Sequence, residues 1–227
     1  MGFIEYFGFD VLTKGSNLLR LFEGLWTALK ISLLSVVISI FLGTILGVLI
    51  TLKKPVLNAV FRVYLEIVRI MPQMVLLFIV YFGAAKAMGL NFSPELSSII
   101  VFSFWGTAEM ADLVRGAVTS IPVIQYESSA ALGLRTYQTF MYVIIPQTVR
   151  RIIPMSINLI TRMIKTTSLI MMIGIVEVLK VGQQIIEANR KTSPNAAFGV
   201  FATVFLLYFI ACYPISRLSV YLEKRWE

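Results

Sequence analysis

Residues 31–52 read ISLLSVVISIFLGTILGVLITL, a run without a single charge. A helix rises about 1.5 Å per residue, so this run reaches across a hydrocarbon core of about 30 Å. Inside lipid the backbone must satisfy its own hydrogen bonds, which makes the run a helix. A barrel strand would alternate apolar and polar positions, and this run does not. A second uncharged stretch, 192–216, has the same character. The whole chain agrees: of 227 residues 58% are hydrophobic and 14% are charged, where a soluble domain carries about 25% charge. The expected fold class is therefore an all-α membrane protein.

Working outward, the pattern predicts about five transmembrane helices. They are residues 25–52, ended by Lys53, Lys54 and Pro55; 60–89; 94–119, opened by Ser93-Pro94; 147–190, too long for one crossing; and 195–220, opened by Ser193-Pro194-Asn195. Residues 1–24 mix Phe3, Tyr6, Phe7, Phe9 and Leu12 with charges and are expected to form an N-terminal interfacial segment. Residues 25–227 are then one transmembrane domain. The first apolar run follows Glu5, Asp10 and Glu23, whereas a secretory signal opens with positive charge, so no cleaved signal is expected.

The net charge of +8 does not indicate nucleic acid, because the basic residues sit at the ends of apolar runs. Lys53, Lys54, Arg62, Arg69, Arg115, Arg135, Arg150, Arg151, Arg217, Lys224 and Arg225 collect on one side. Lys14, Arg20, Lys86, Arg190 and Lys191 collect on the other. The richer side is cytoplasmic, which puts the N-terminus outside and the C-terminus inside. There is no histidine and a single cysteine, Cys212, within an apolar run. That removes histidine-based general-base chemistry, disulfide frameworks and the usual zinc sites; no metal is expected.

The polar stretch 120–146 should face the cytoplasm. Small residues at 128–131, then Gly133, an apolar-aromatic stretch and Pro146 read as two short helices joined at a glycine. Such a knob could enter a groove on another protein, with Glu127 and Arg135 at its rim; a solvated loop is the alternative. Glu127, Ala130, Gly133 and then Val143-Ile144-Ile145-Pro146 resemble, in order and spacing, the Glu-Ala-Ala signature of permease subunits of bacterial ABC importers. The departures, Ser128 and Ser129 for alanines, Val143 for Ile and Ile145 for Leu, keep size or apolar character. Three further segments resemble the polar amino-acid permeases of histidine/glutamine type: Glu66 to Pro72, Arg115 to Pro122, and Lys165-Thr-Thr-Ser-Leu169 followed by Gly174-Ile-Val-Glu177.

That resemblance implies a type I ABC importer permease architecture in the bacterial inner membrane, with several partners. They are a dimer of ATP-binding subunits, a second permease copy or sister permease, and an extracytoplasmic amino-acid-binding protein. It places ATPase coupling at Glu127, Ser128, Ala130, Ala131, Gly133, Arg135 and Pro146, and substrate contacts at Lys165, Thr166, Thr167, Ser168 and Leu169. The chain has no Gly-x-x-x-x-Gly-Lys-Ser/Thr phosphate loop, so no cofactor is expected on it, and ATP and magnesium belong to the partner.

Independently of the resemblance, Lys165 falls near the midplane by helix rise, and the hydroxyls that follow, with Gly174, mark a break in the fourth span. Freed backbone groups and hydroxyls at such a break suit an amino acid's carboxylate and ammonium. The alternative is that Lys165 pairs with Glu109, Asp112 or Glu177 and only fixes packing. Asp112 with Arg115, and Glu66 with Arg69, are three apart and can pair on one helix face. Gly43 and Gly47 form a G-x-x-x-G pair that predicts close helix approach. The competing functions are an importer of another small solute such as an osmolyte, an ATPase-independent channel or ion-driven carrier, and, more remotely, an intramembrane enzyme using Ser168 and Lys165.

Overall fold

The computed structural model describes residues 3–52 and 54–226. Lys53, counted above among the cytoplasmic charges, lies outside the described residues. All regular structure among them is helical. A turn of helix, α1 (Phe3–Tyr6), and a 3-10 turn (Phe9–Thr13) precede α2 (Asn17–Thr51). This helix begins before residue 25, because nothing between Asn17 and Glu23 breaks it. Pro55 sits in the first turn of α3 (Pro55–Ile70), where its missing N–H costs nothing.

The sequence predicted one helix over 60–89, and the structure breaks it. Met71 precedes Pro72 and is extended (ψ 131), as a residue before proline is driven to be. The chain turns by 103° there, between Pro55–Ile70 and Gln73–Gly83. Beyond the turn, α4 (Gln73–Phe78) passes through a π-helical turn (Ile79–Gly83) into α5 (Ala84–Met88), closed by Gly89 in the left-handed region (φ 67). Then α6 (Pro94–Thr119) has the predicted bounds, with the Leu96 N–H donating to Ser93 Oγ at 3.2 Å.

The segment after α6 contains α7 (Val123–Ala131), α8 (Thr136–Thr139) and a π-helical turn (Phe140–Ile144) that leads into α9 (Ile145–Thr166). The predicted break in the fourth span is present. A 3-10 helix (Thr167–Ile173) ends at Gly174 (φ 93), and α10 (Val178–Ala188) restarts the helix after a 53° bend. Finally α11 (Ala196–Trp226) outlasts its predicted end at 220.

By length and composition α2 and α11 can each cross a membrane, and up to four crossings result if each bent pair counts as one. The third predicted crossing, α6, carries Glu95, Glu109, Asp112 and Arg115 and is not among these.

Two compact units are present, one of residues 1–34, 74–101 and 162–214, the other of 35–73, 102–161 and 215–227. The first unit has a core of Val11, Leu21, Val178, Val181, Ile185 and Val200, with Ala196, Val204 and Leu207 beside them. In the N-terminal segment, expected to lie at an interface, Val11 and Leu21 are buried in this core, while Tyr6, Leu18, Leu19 and Phe22 are exposed. Asp10 accepts from Lys14 Nζ at 2.7 Å and from Ser193 Oγ at 3.1 Å. Asn195 Nδ2 donates to the Tyr6 carbonyl at 2.9 Å.

In the second unit α2 packs on α6 through the predicted glycine pair. A Cβ at Gly43 would lie 2.9 Å from the Thr107 carbonyl oxygen, and one at Gly47 would lie 2.7 Å from that of Ala111.

Candidate functional site

The coupling segment lies wholly within the second unit. Helix α7 closes on a Schellman turn: the Leu134 N–H bonds the Ser129 carbonyl at 3.0 Å and the Gly133 N–H bonds that of Ala130 at 2.9 Å. The turn requires a left-handed residue at its end, and Gly133 supplies it (φ 76). Helix α8 then begins with the Arg135 N–H donating to Gln138 Oε1 at 2.8 Å.

The inner face of this segment is buried at Ser129, Thr139 and Ile144, with the Ser129 hydroxyl donating to the Gln125 carbonyl at 2.6 Å. The Tyr126 and Phe140 rings meet edge to face, 6.1 Å apart. The outer face bears Glu127, Ser128, Ala130, Ala131, Gly133, Arg135 and Pro146, all exposed. At the tip Leu132 is 81% exposed, and Tyr137 and Tyr142 are also largely exposed. The structure thus brings all seven expected coupling residues to the surface of one compact helical knob rather than a loop. Beside them stands exposed Leu132, a large apolar side chain that the motif spacing alone does not single out.

The 165–169 stretch belongs to the first unit, at the junction of α9 and the 3-10 helix. Its hydroxyls donate locally: Thr166 Oγ1 to the Arg162 carbonyl at 2.9 Å, Thr167 Oγ1 to Ile164 at 2.6 Å, and Ser168 Oγ to Lys165 at 3.0 Å. Lys165 is exposed, Thr166, Ser168 and Leu169 are half-buried, and Thr167 is buried. The break closes on a second Schellman turn, with Ile175 N–H to Ile170 at 3.4 Å and Gly174 N–H to Met171 at 3.2 Å.

Glu177 takes a role the sequence did not reveal. Its buried carboxylate caps α10, accepting from the Leu179 and Lys180 N–H groups at 2.8 Å each, and from the Tyr208 hydroxyl at 3.3 Å. Serine, threonine, aspartate and asparagine are the usual cap residues, so a glutamate gives little warning. Its place three residues after Gly174 was the available signal.

Asp112, another of the three acids offered as partners for Lys165, bonds Arg115 as anticipated and Arg69 at 2.7 Å. Arg69 therefore reaches across to α6 rather than pairing with Glu66 on its own helix. Among the described residues no group of three or more His, Cys, Asp or Glu could hold a metal ion.

Residues 27–227 match the family described as binding-protein-dependent transport system inner membrane component. The chain belongs to that family. As a transport-system membrane component it is 32% identical over 208 residues to the glutamine transport system permease protein GlnP of Escherichia coli (strain K12), covering 91% of this chain and 93% of that protein. It is 28% identical over 209 residues to the probable glutamine ABC transporter permease protein GlnP of Bacillus subtilis (strain 168), covering 92% and 94%. Its fold is shared with the crystal structure of an amino acid ABC transporter with histidines: TM-score 0.82 at 23% identity, covering 91% of this chain and 94% of that one. It is shared too with an inward-facing MetNI methionine ABC transporter: TM-score 0.71 at 20% identity, covering 92% and 97%. The resemblance drawn from the Glu-Ala-Ala spacing is borne out.

Proposed function

We propose that this component forms one half of the membrane pore of an ATP-driven importer for polar amino acids. It performs no covalent chemistry and alternates between outward and inward openings. A separate pair of ATP-binding subunits, holding ATP and magnesium, drives it through Glu127 to Pro146. The observation that carries this reading is the exposed knob with Leu132 at its tip, in a chain whose relatives are named as amino-acid ABC permeases. The second half of the pore is a copy of this chain or a sister permease, and an external binding protein delivers the substrate.

In this reading α2, the bent α3 to α5 segment, α6, the bent α9 to α10 segment and α11 make five crossings of the bacterial inner membrane. The N-terminus is outside and the C-terminus inside, a direction that the Lys and Arg distribution supports. Lys165, Thr166, Thr167, Ser168 and Leu169 contact substrate near the midplane, Lys165 drawing the carboxylate. Thr166 stands where this permease branch often has aspartate. A neutral side chain there favours uncharged polar substrates over arginine or lysine, and arginine proving the best ligand would overturn that part.

The test is ATPase activity of the permease reconstituted with its ATP-binding subunit and binding protein, across a panel of amino acids. Stimulation by neutral polar amino acids is expected. The Glu127→Lys variant should lose at least about tenfold of it, since a reversed charge at a docking surface costs upward of ~1.4 kcal/mol. No association and no stimulation by any amino acid would move the weight to a channel or an ion-driven carrier. Stimulation by an osmolyte alone would move it to another solute.

A further inference from the structure

The second unit holds a cleft of about 420 Å³ between α3 and the last turns of α6, lined by Asn58, Arg62, Glu66, Arg69, Arg115 and Thr119. Asp112 anchors two of its walls, since Arg69 and Arg115 both bond that one carboxylate. Each guanidinium has five N–H donors in a fixed fork, and these bonds use one on Arg69 and two on Arg115. Arg62 is exposed, and among the described residues no hydrogen bond holds it. The Asn58 Oδ1 atom is buried with no partner among the described residues, an acceptor in want of a hydroxyl donor.

The opposite face of α3 is apolar and open. Val56, Val60, Val63, Ile67 and Ile70 follow one another at helical spacing and are between 49% and 80% exposed. A short helix with an apolar stripe on one side and arginines on the other has the pattern of a helix lying in the membrane interface. A membrane surface suits both faces: lipid chains against the stripe, and a lipid phosphate among the guanidiniums.

We propose that this cleft binds the headgroup of an anionic phospholipid, of the class of phosphatidylglycerol. Arg62 and the uncommitted N–H groups of Arg69 and Arg115 hold its phosphate. Asn58 accepts from its headgroup hydroxyl. Glu66, the lining carboxylate not bound to an arginine, opposes the anion and sets the affinity. The assignment rests on the orientation proposed above, which places α3 and the end of α6 at the cytoplasmic leaflet.

The test titrates the full chain in detergent with fluorescent phosphatidylglycerol and fluorescent phosphatidylcholine, reading anisotropy. Neither ATPase nor amino acid is present, so the result is separable from the transport reading. Phosphatidylglycerol should bind several-fold tighter than phosphatidylcholine. Arg62→Gln should weaken it about fivefold, the factor for one arginine near an anionic surface, and Glu66→Gln should strengthen it. Neither variant should change phosphatidylcholine binding, which reports that both fold. Equal affinity for the two lipids, or no effect of either variant on phosphatidylglycerol, would overturn the proposal. Displacement of phosphatidylglycerol by millimolar inorganic phosphate would also overturn it, by assigning the cleft to a soluble anion.

Discussion

At the scale of single residues, Glu177 shows how a buried acidic side chain is kept satisfied. Its oxygens take two backbone N–H groups from the first turn of α10, where the helix dipole also favours a carboxylate. Glu177→Ala leaves those donors unmatched next to an apolar core. The expected loss is about 1–2 kcal/mol, seen as a lower Tm of the purified chain, with an unchanged Tm as the contrary result. The sequence offers Glu177 as a partner for Lys165 and as the end of a family-like segment but not as a cap, because a glutamate's reach back to its own backbone leaves no periodic trace.

Asp10 is a surface case. Lys14 beside it, with help from Ser193, holds its carboxyl below the usual carboxylate value. A lowered folded value means the tether is present above the unfolded value of about 3.9 and is lost as pH falls through the folded one. Amide exchange in residues 9–14 should therefore speed up below about pH 4 relative to an Asp10→Asn variant, which should show no such step.

At the scale of elements, two breaks share one device. Gly133 and Gly174 both end a helix in the left-handed region, each with the same pair of backbone bonds. Replacing Gly133 with Ala puts a Cβ where it costs about 1–2 kcal/mol, and Asn, which tolerates that region, should cost less. Limited proteolysis at 130–135 should follow the order Ala, Asn, Gly from fastest to slowest, and equal rates would refute it.

Elements were legible where the chain punctuates itself. Ser93-Pro94 set the start of α6, Gly133 divided the knob, and Gly174 marked the broken span. The turn at Met71-Pro72 is not legible, because the apolar content continues through it and composition does not register a change of direction. The early start of α2 is not legible, because the charges Arg20 and Glu23 interrupt the apolar pattern; Arg20 donates to Gln184 Oε1 at 2.6 Å. The ion pair of Arg69 with Asp112 spans 43 positions of sequence, and local spacing favoured Glu66.

At the scale of the whole molecule, the proposed topology is open to direct labelling. In a Cys212→Ser background, an impermeant maleimide should reach Thr192→Cys from outside intact cells. It should reach Leu132→Cys only after permeabilisation. The reverse pattern would invert the orientation and, with it, the role given to the knob. The class of protein was legible from composition and the family from four short segments. How the 165–169 hydroxyls turn onto their own helix was not, because that depends on a few backbone angles.

Gly24 has no Cβ, and one placed there would come 2.7 Å from the Val178 backbone nitrogen and 2.8 Å from the Glu177 carbonyl carbon. Those atoms are backbone and cannot swing aside. In a saturation library selected for transport, codon 24 should stay monomorphic, while codon 116, whose glycine faces open space, should drift freely. Natural variation at position 24 would then be a record of compensating change near 177.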